Sequence, residues 1–224
     1  MVRKTLAGIM NVHGIPKNKV LALTTEQLET IVEILGRSSS LINYRDSALL
    51  QIGFFGAFRR SELVNIKIEH INYVREGIEI LIPRSKTDQT GQGKICAIPY
   101  GKEKICPTTA LTCWLQRSKI KDGAIFRKIT KNSTISSEAL VEESITFILK
   151  RAIVKLNNVN VQDFSSHSLR RGFATSASKN GASLPAIMRQ GRWQHEGTVI
   201  EYIEESQRFE NNAADLVLNV INGK

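Results

Sequence analysis

Apolar residues along the chain follow two different periods. From Thr24 to Gly36 they recur every three or four positions, at Leu28, Ile31, Val32 and Leu35, the spacing of a helix with one buried face. Thr24-Thr25-Glu26-Gln27 opens that helix as a capping box, and Gly36 fits its stop. Residues 43–57, NYRDSALLQIGFFGA, are apolar on most sides and predict a buried helix. FRRSELVNI (58–66) predicts a further short helix, with Ser61 as its cap. The period then shifts to two. GIEILIP (77–83) and KICAIP (94–99) alternate and are rich in β-branched residues, which predicts strands. The polar, glycine-rich RSKTDQTGQGK (84–94) joins them as a hairpin or loop. After Pro107 the helical period returns over 107–118, 137–157, 167–179, 184–190, 196–205 and 210–221. Ser183 and Pro185 suit the start of the 184–190 helix. The pattern predicts a mainly α domain with a small antiparallel β-sheet within residues 66–100, an α+β architecture.

The two ends read differently from the middle. VRKTLAGIM spaces Val2, Leu6, Ile9 and Met10 as a helix does, but no partner helix lies in its own segment, and HGIPKNKVLA reads as a basic linker. Residues 1–22 are therefore expected to be the end of a preceding unit, with the main domain running over 23–224. Near the other end, the 210–221 helix carries an apolar stripe at Ala213, Leu216, Val217 and Val220. That stripe either packs on its own domain or docks on something else.

Composition narrows the partner. With 224 residues, 42% of them hydrophobic, the chain can bury a full core. Lysine and arginine total 31 against 21 aspartates and glutamates, a net charge of +10, and the pI is near 9.7. That surplus favours a polyanion, with nucleic acid the commonest and an anionic membrane surface the alternative. No stretch approaches the roughly 20 apolar residues that span a bilayer, and no signal-peptide pattern opens the chain. Cys96, Cys106 and Cys113 are odd in number and lack CxxC spacing, so reduced thiols are expected rather than a disulfide framework or a zinc site.

Candidate chemistry concentrates in five places. Arg59 and Glu62 stand in FRRSEL, Lys86 in the strand-flanked loop, His167 and Arg170 in HSLR, Trp193 in QGRWQH, and Tyr202 in VIEYIE. His167 and Arg170 are three apart, so on a helix they share a face and can reach one phosphate. In this order and spacing the boxes resemble those of the tyrosine recombinases, also called phage integrases. AFRRSEL is similar to that family's first arginine box, HSLR to its second, and GRW followed nine residues later by Tyr202 to its third. The resemblance covers residues 24 to about 221 and implies the family's catalytic-domain fold. It also implies that residues 1–22 end an N-terminal core-binding domain, and that the 210–221 helix docks on a neighbouring subunit to link a homo-tetramer on DNA.

The residue types suit phosphodiester chemistry in their own right. A tyrosine hydroxyl can attack a DNA phosphodiester and displace a 5′-hydroxyl, leaving a 3′-phosphotyrosine that keeps the bond energy for rejoining. Neither a metal nor a nucleotide cofactor is expected, because Arg59 and Arg170 can each place bidentate, charge-assisted bonds on the non-bridging oxygens. A tyrosine hydroxyl has an ordinary pKa of about 10 and must shed its proton during attack. By the resemblance, His167 takes that proton, Lys86 protonates the leaving oxygen, and Trp193 donates its indole N–H to a phosphate oxygen. Glu62 would hold the arginine side and His167 in place. Arg60 and Arg171 point about 100° away from their neighbours on a helix and are expected to be structural or backbone-contacting. Lys94, across the hairpin from Lys86, and His195, two residues after Trp193, are the competing candidates.

The function this predicts is site-specific cutting and rejoining of double-stranded DNA, for integration or excision of a mobile element, in the cytoplasm of a prokaryotic cell or encoded by a phage. The rivals are the same chemistry used for dimer resolution, hairpin-telomere formation or topoisomerase action, and a DNA-binding module that no longer cleaves.

Overall fold

The computed structural model describes residues 20–83, 93–102 and 104–206, together with positions 214, 217, 218 and 221. Three helices come first: α1 (Thr25–Gly36), α2 (Leu41–Phe55) and the short α3 (Arg60–Val64). A three-stranded antiparallel sheet follows, β1 (Ile71–Val74), β2 (Gly77–Ile82) and β3 (Lys94–Pro99), in that spatial order. Then come α4 (Pro107–Ser118), the antiparallel pair β4 (Arg127–Ile129) and β5 (Ile135–Ala139), and α5 (Glu142–Ile153). The last helices are α6 (His167–Lys179), α7 (Leu184–Gly191) and α8 (Glu196–Ser206). The protein is mainly helical with small antiparallel sheets, as the periodicity predicts. Among the described residues no helix is long and apolar enough to cross a membrane.

Local chemistry accounts for the element ends. The Thr24 side chain accepts from the Gln27 backbone N–H, and the Gln27 side chain accepts from the Thr24 N–H, so the capping box at α1 is formed on both sides. At α2 the cap is Ser40, two residues earlier than the apolar run alone indicates. At α3 the cap is Arg59 rather than Ser61, because the Glu62 carboxylate turns back to accept from the Arg59 N–H at 3.0 Å. The predicted 137–157 helix divides. Residues 135–139 instead form β5, pairing with β4, and the helix starts only at Glu142. Serine and β-branched residues gain more there from a ladder than from a helix.

One large core runs from Leu23 through Ile52, Phe54, Trp114 and Phe126 to Leu169 and binds α1–α6 and both sheets. A second, smaller cluster has only Ala174, Ile187 and Val199 fully buried, with Phe173, Met188, Trp193 and Tyr202 packed around them. Helix α6 belongs to both clusters, and its placement is very close. The Leu23 N–H donates to the Ser168 carbonyl at 3.0 Å, and a Cβ at Gly172 would lie 2.1 Å from the Leu23 carbonyl oxygen and 2.8 Å from the Phe54 ring. Only glycine lets α6 lie this close to the incoming chain. Gly172→Ala is therefore expected to cost about 1–3 kcal/mol, read as a fall in the urea midpoint at unchanged m-value.

Candidate active site

The turn between α2 and α3 supplies the floor of the site. Ala57 there adopts a left-handed conformation, φ 45°, and is fully buried. That twist aims its carbonyl oxygen inward, where two guanidinium groups meet it. Arg170 donates to it through Nη1, and Arg192 through Nη2 at 3.4 Å. Arg170 reaches this point from the first turns of α6. Its side chain is almost wholly buried, and its guanidinium carbon sits 3.9 Å from the centre of the Trp193 ring. Its Nη2 has no hydrogen-bond partner among the described residues. Burial first, and then the nearby cations Arg59 and Arg192, lower the Arg170 pKa to about 9. The site thus holds a desolvated cation with a donor to spare.

Arg59 and Glu62 form the second side. Arg59 Nη1 donates to Glu62 Oε1 at 2.7 Å, while Glu62 Oε2 accepts from Arg192 Nη2 at 2.8 Å. One buried carboxylate therefore joins two arginines. Burial raises its pKa, but Arg192 and the Arg59 N–H outweigh that and hold the carboxyl below its ordinary value. Sequence reasoning assigned Glu62 to both the arginine side and His167; among the described residues it makes no hydrogen bond to His167.

His167 opens α6 at the solvent edge of the same cleft. Its pKa is lowered by burial and by Arg170, Arg60 and Arg59 around it. The unfolded imidazole protonates near 6.5 and the folded one only at lower pH. Unfolding therefore takes up a proton below about pH 6.5, and stability falls as pH drops through that range until the folded ring is itself protonated. Wild-type protein is expected to lose more melting temperature between pH 7 and pH 5 than His167→Gln does.

Trp193 and Tyr202 close the third side. Gly191 is required here, since a Cβ on it would lie 1.8 Å from the Trp193 ring. The chain then turns left-handed at Arg192, φ 57°, and enters α8, which carries Tyr202. Tyr202 is half-buried against the small cluster. The Arg171 guanidinium carbon lies 5.1 Å from its ring centre, while Arg171 Nη1 also donates to the Val20 carbonyl at 2.9 Å. The structure thus brings Arg59, Glu62, His167, Arg170, Trp193 and Tyr202 around one cleft. Arg60 turns away to pair with Glu142 at 2.9 Å. His195 is exposed. Lys86 lies outside the described residues. Lys94 lines a groove with Arg189, Arg192 and Trp193 beside the site.

Sequence reasoning missed Arg192, treating it as the spacer inside GRW. No local pattern marks it, because its partners Gly56, Ala57 and Glu62 lie about 130 residues earlier in the chain. Gln190 was missed for the same reason. Its amide donates to the carbonyls of Phe55 at 3.0 Å and Ala97 at 2.9 Å, locking α7 to α2 and β3.

Two arginines, a histidine, a tryptophan and a tyrosine thus line one basic cleft on an α-helical frame. The model of the phage integrase family matches residues 21–208. The chain belongs to that family. It is 37% identical over 220 residues to an integrase/recombinase described as a XerD homolog from Selenomonas ruminantium, covering 98% of this chain and 64% of that protein. It is 26% identical over 200 residues to the recombinase Cre of Escherichia phage P1, covering 83% of this chain and 56% of that one. Among solved structures, XerA recombinase superposes with a TM-score of 0.65 at 18% identity, over 92% of this chain and 66% of the other. XerH recombinase in a post-cleavage complex with its difH substrate gives 0.64 at 18% identity, over 93% and 56%. The chain spans less than two thirds of the length of the two relatives.

Proposed function

We propose that this chain is the catalytic domain of a site-specific DNA recombinase that cuts and rejoins strands through Tyr202. The observation that carries this reading is the Arg170 guanidinium: buried, short of one hydrogen-bond partner, and flanked by Arg59 beside a half-buried tyrosine. A phosphodiester would supply the missing acceptor and the missing negative charge together. The Tyr202 oxygen attacks phosphorus, the bond to the 5′-oxygen breaks, and the 3′-phosphate stays on the protein. The tyrosine proton passes to His167, whose pKa is lowered by burial and then by the arginines around it, which favours the neutral, proton-accepting ring. Lys86 returns a proton to the leaving 5′-oxygen. Attack by that 5′-hydroxyl, or another, restores the duplex and frees the tyrosine. The charge that builds on the phosphoryl oxygens is met by arginines, and no step calls on a metal.

The complex of XerH recombinase with its difH substrate and this chain's net charge of +10 support double-stranded DNA as the partner. The expectation that residues 1–22 end an N-terminal core-binding domain falls on a segment of which 1–19 lie outside the described residues. The C-terminal helix is assigned to docking on a second copy, within a tetramer on DNA. Of its predicted stripe only Val217 lies among the described residues; Val217, Leu218 and Ile221 are helical and exposed. An apolar groove of about 330 Å³ lined by Phe55, Ala97, Phe173 and Ala177 offers a matching seat. Integration or excision of a mobile element in a prokaryotic cytoplasm is the setting that fits.

Trapping tests the reading directly. The protein is mixed with nicked duplexes from DNA flanking its gene, in EDTA, and denatured in detergent. Protein-linked DNA that maps to the Tyr202 peptide is the expected result. DNA binding without any adduct, on duplexes from both flanks, would leave a binding module.

A further inference from the structure

Arg192 takes no part in the chemistry proposed above, yet it is the most heavily tied side chain of the site. Its side chain is 2% exposed. Nη1 donates to the carbonyls of Gln190 at 2.7 Å and Gly56 at 3.1 Å, and Nη2 donates to Glu62 Oε2 at 2.8 Å. Its guanidinium carbon lies 4.8 Å from the Phe58 ring centre. Three features of the arrangement are a poor way to gain stability. The backbone is left-handed at a position where any side chain is disfavoured. The Nε is buried with no hydrogen-bond partner among the described residues. A buried ion pair adds little over apolar packing of the same volume. What the arrangement does supply is geometry. Glu62 is held by Arg192 on one oxygen and presents the other to Arg59 at 2.7 Å, while the Arg192 carbonyl accepts from Arg59 Nη2 at 3.5 Å. Arg59 is thus gripped at both nitrogens by groups whose positions depend on Arg192.

We propose that Arg192 is a positioning residue, which aims the Arg59 guanidinium at the reacting phosphate by fixing Glu62 from behind. Without it, the Glu62 carboxylate is free to rotate onto Arg59 alone and to draw that side chain back from the cleft. The inference rests on Arg59 being a phosphate ligand, and its test separates the two ideas. Arg192→Met keeps much of the volume without the charge, and Arg192→Lys keeps the charge and one donor toward Glu62.

Two measurements on the full 224-residue chain decide it. In single-turnover adduct formation, Arg192→Met is expected to lower the rate at saturating DNA about 10- to 100-fold, as losses of supporting contacts do, with half-saturating DNA within about threefold of wild type. Arg192→Lys is expected to recover most of the rate. Added to Arg59→Ala, Arg192→Met is expected to change the rate less than about threefold, because both act through one guanidinium. Fully multiplying effects would overturn the proposal. The second measurement needs no DNA. Nitrogen-15 spectra of the arginine side chains should show restricted rotation of the Arg59 guanidinium in wild type and free rotation in Arg192→Met, with the amide spectrum still folded. An unchanged Arg59 signal in folded Arg192→Met sinks the proposal. If wild type forms no adduct while the Arg59 signal still responds, the cleavage reading falls and the positioning role stands.

Discussion

Tyr202→Phe is expected to abolish covalent capture of DNA, lowering adduct formation by more than about 10⁴-fold, the scale seen when a nucleophile is removed from an otherwise intact site. The substitution deletes one oxygen. The ring stays in its apolar cluster of Ala174, Ile187 and Val199, and the Arg171 guanidinium keeps its place 5.1 Å from the ring centre. Folding and DNA binding should therefore hardly change, so a gel-shift titration run in parallel ought to overlay that of wild type. That pairing gives the experiment its force. Loss of the adduct with binding preserved assigns the attacking oxygen. An adduct that persists in Tyr202→Phe would name another nucleophile and would displace α8 from the centre of the mechanism.

Arg170→Met is expected to separate stability from activity in opposite directions. Strand cleavage should fall about 10²- to 10³-fold, the loss that follows removal of a donor aimed at developing negative charge. Melting temperature should hold or rise. Burial, and then the cations Arg59 and Arg192 beside it, lower the Arg170 pKa to about 9, so the folded state disfavours the charged side chain. This penalty is present in full below about pH 9 and lifts as pH rises above it. Replacing the guanidinium with an apolar chain removes the penalty, against loss of the bond to Ala57 and the stacking on Trp193. Inorganic sulfate should do for wild type what the mutation does, raising its melting temperature by accepting from Arg170 Nη2, and should do much less for Arg170→Met. A variant that melts well below wild type would mean that Arg170 holds the fold together instead of waiting for a phosphate.

Much of this was legible before any coordinates. The helix at 107–118 comes out at its predicted bounds because proline marks its start, and the one at 167–179 does so although its N-cap Ser166 makes no side-chain cap bond. The 137–157 helix failed because the periodicity of Ile145, Ile148, Leu149 and Ala152 was extended backward over residues whose fate is decided by the upstream strand β4, where Arg127 pairs with Ala139 and Ile129 with Ile135. The cap at α3 was misplaced because sequence reading looks for a hydroxyl at the cap. Here a glutamate reaches back to the chain instead. The motif residues were visible because the spacing within each box is short. Arg192 and Gln190 were not, because what they do depends on carbonyls brought from α2 and β3 by the fold as a whole. Only tertiary structure says toward what Arg192 points.

The two unequal cores have a further consequence. The groups that would bind a phosphate, Arg59 and Arg170, hang from the large core, whereas the tyrosine hangs from a satellite of three buried residues. Local opening is governed by how much apolar surface each part buries. The amides of α8 should therefore exchange with solvent deuterium well before those of α2 and α4. On the proposed reading, a molecule built this way can keep Arg59 and Arg170 in place while Tyr202 swings in or out. Timing of the first cut would then be adjusted by altering one weakly anchored helix, and a lineage could retune when it acts without touching what it acts on.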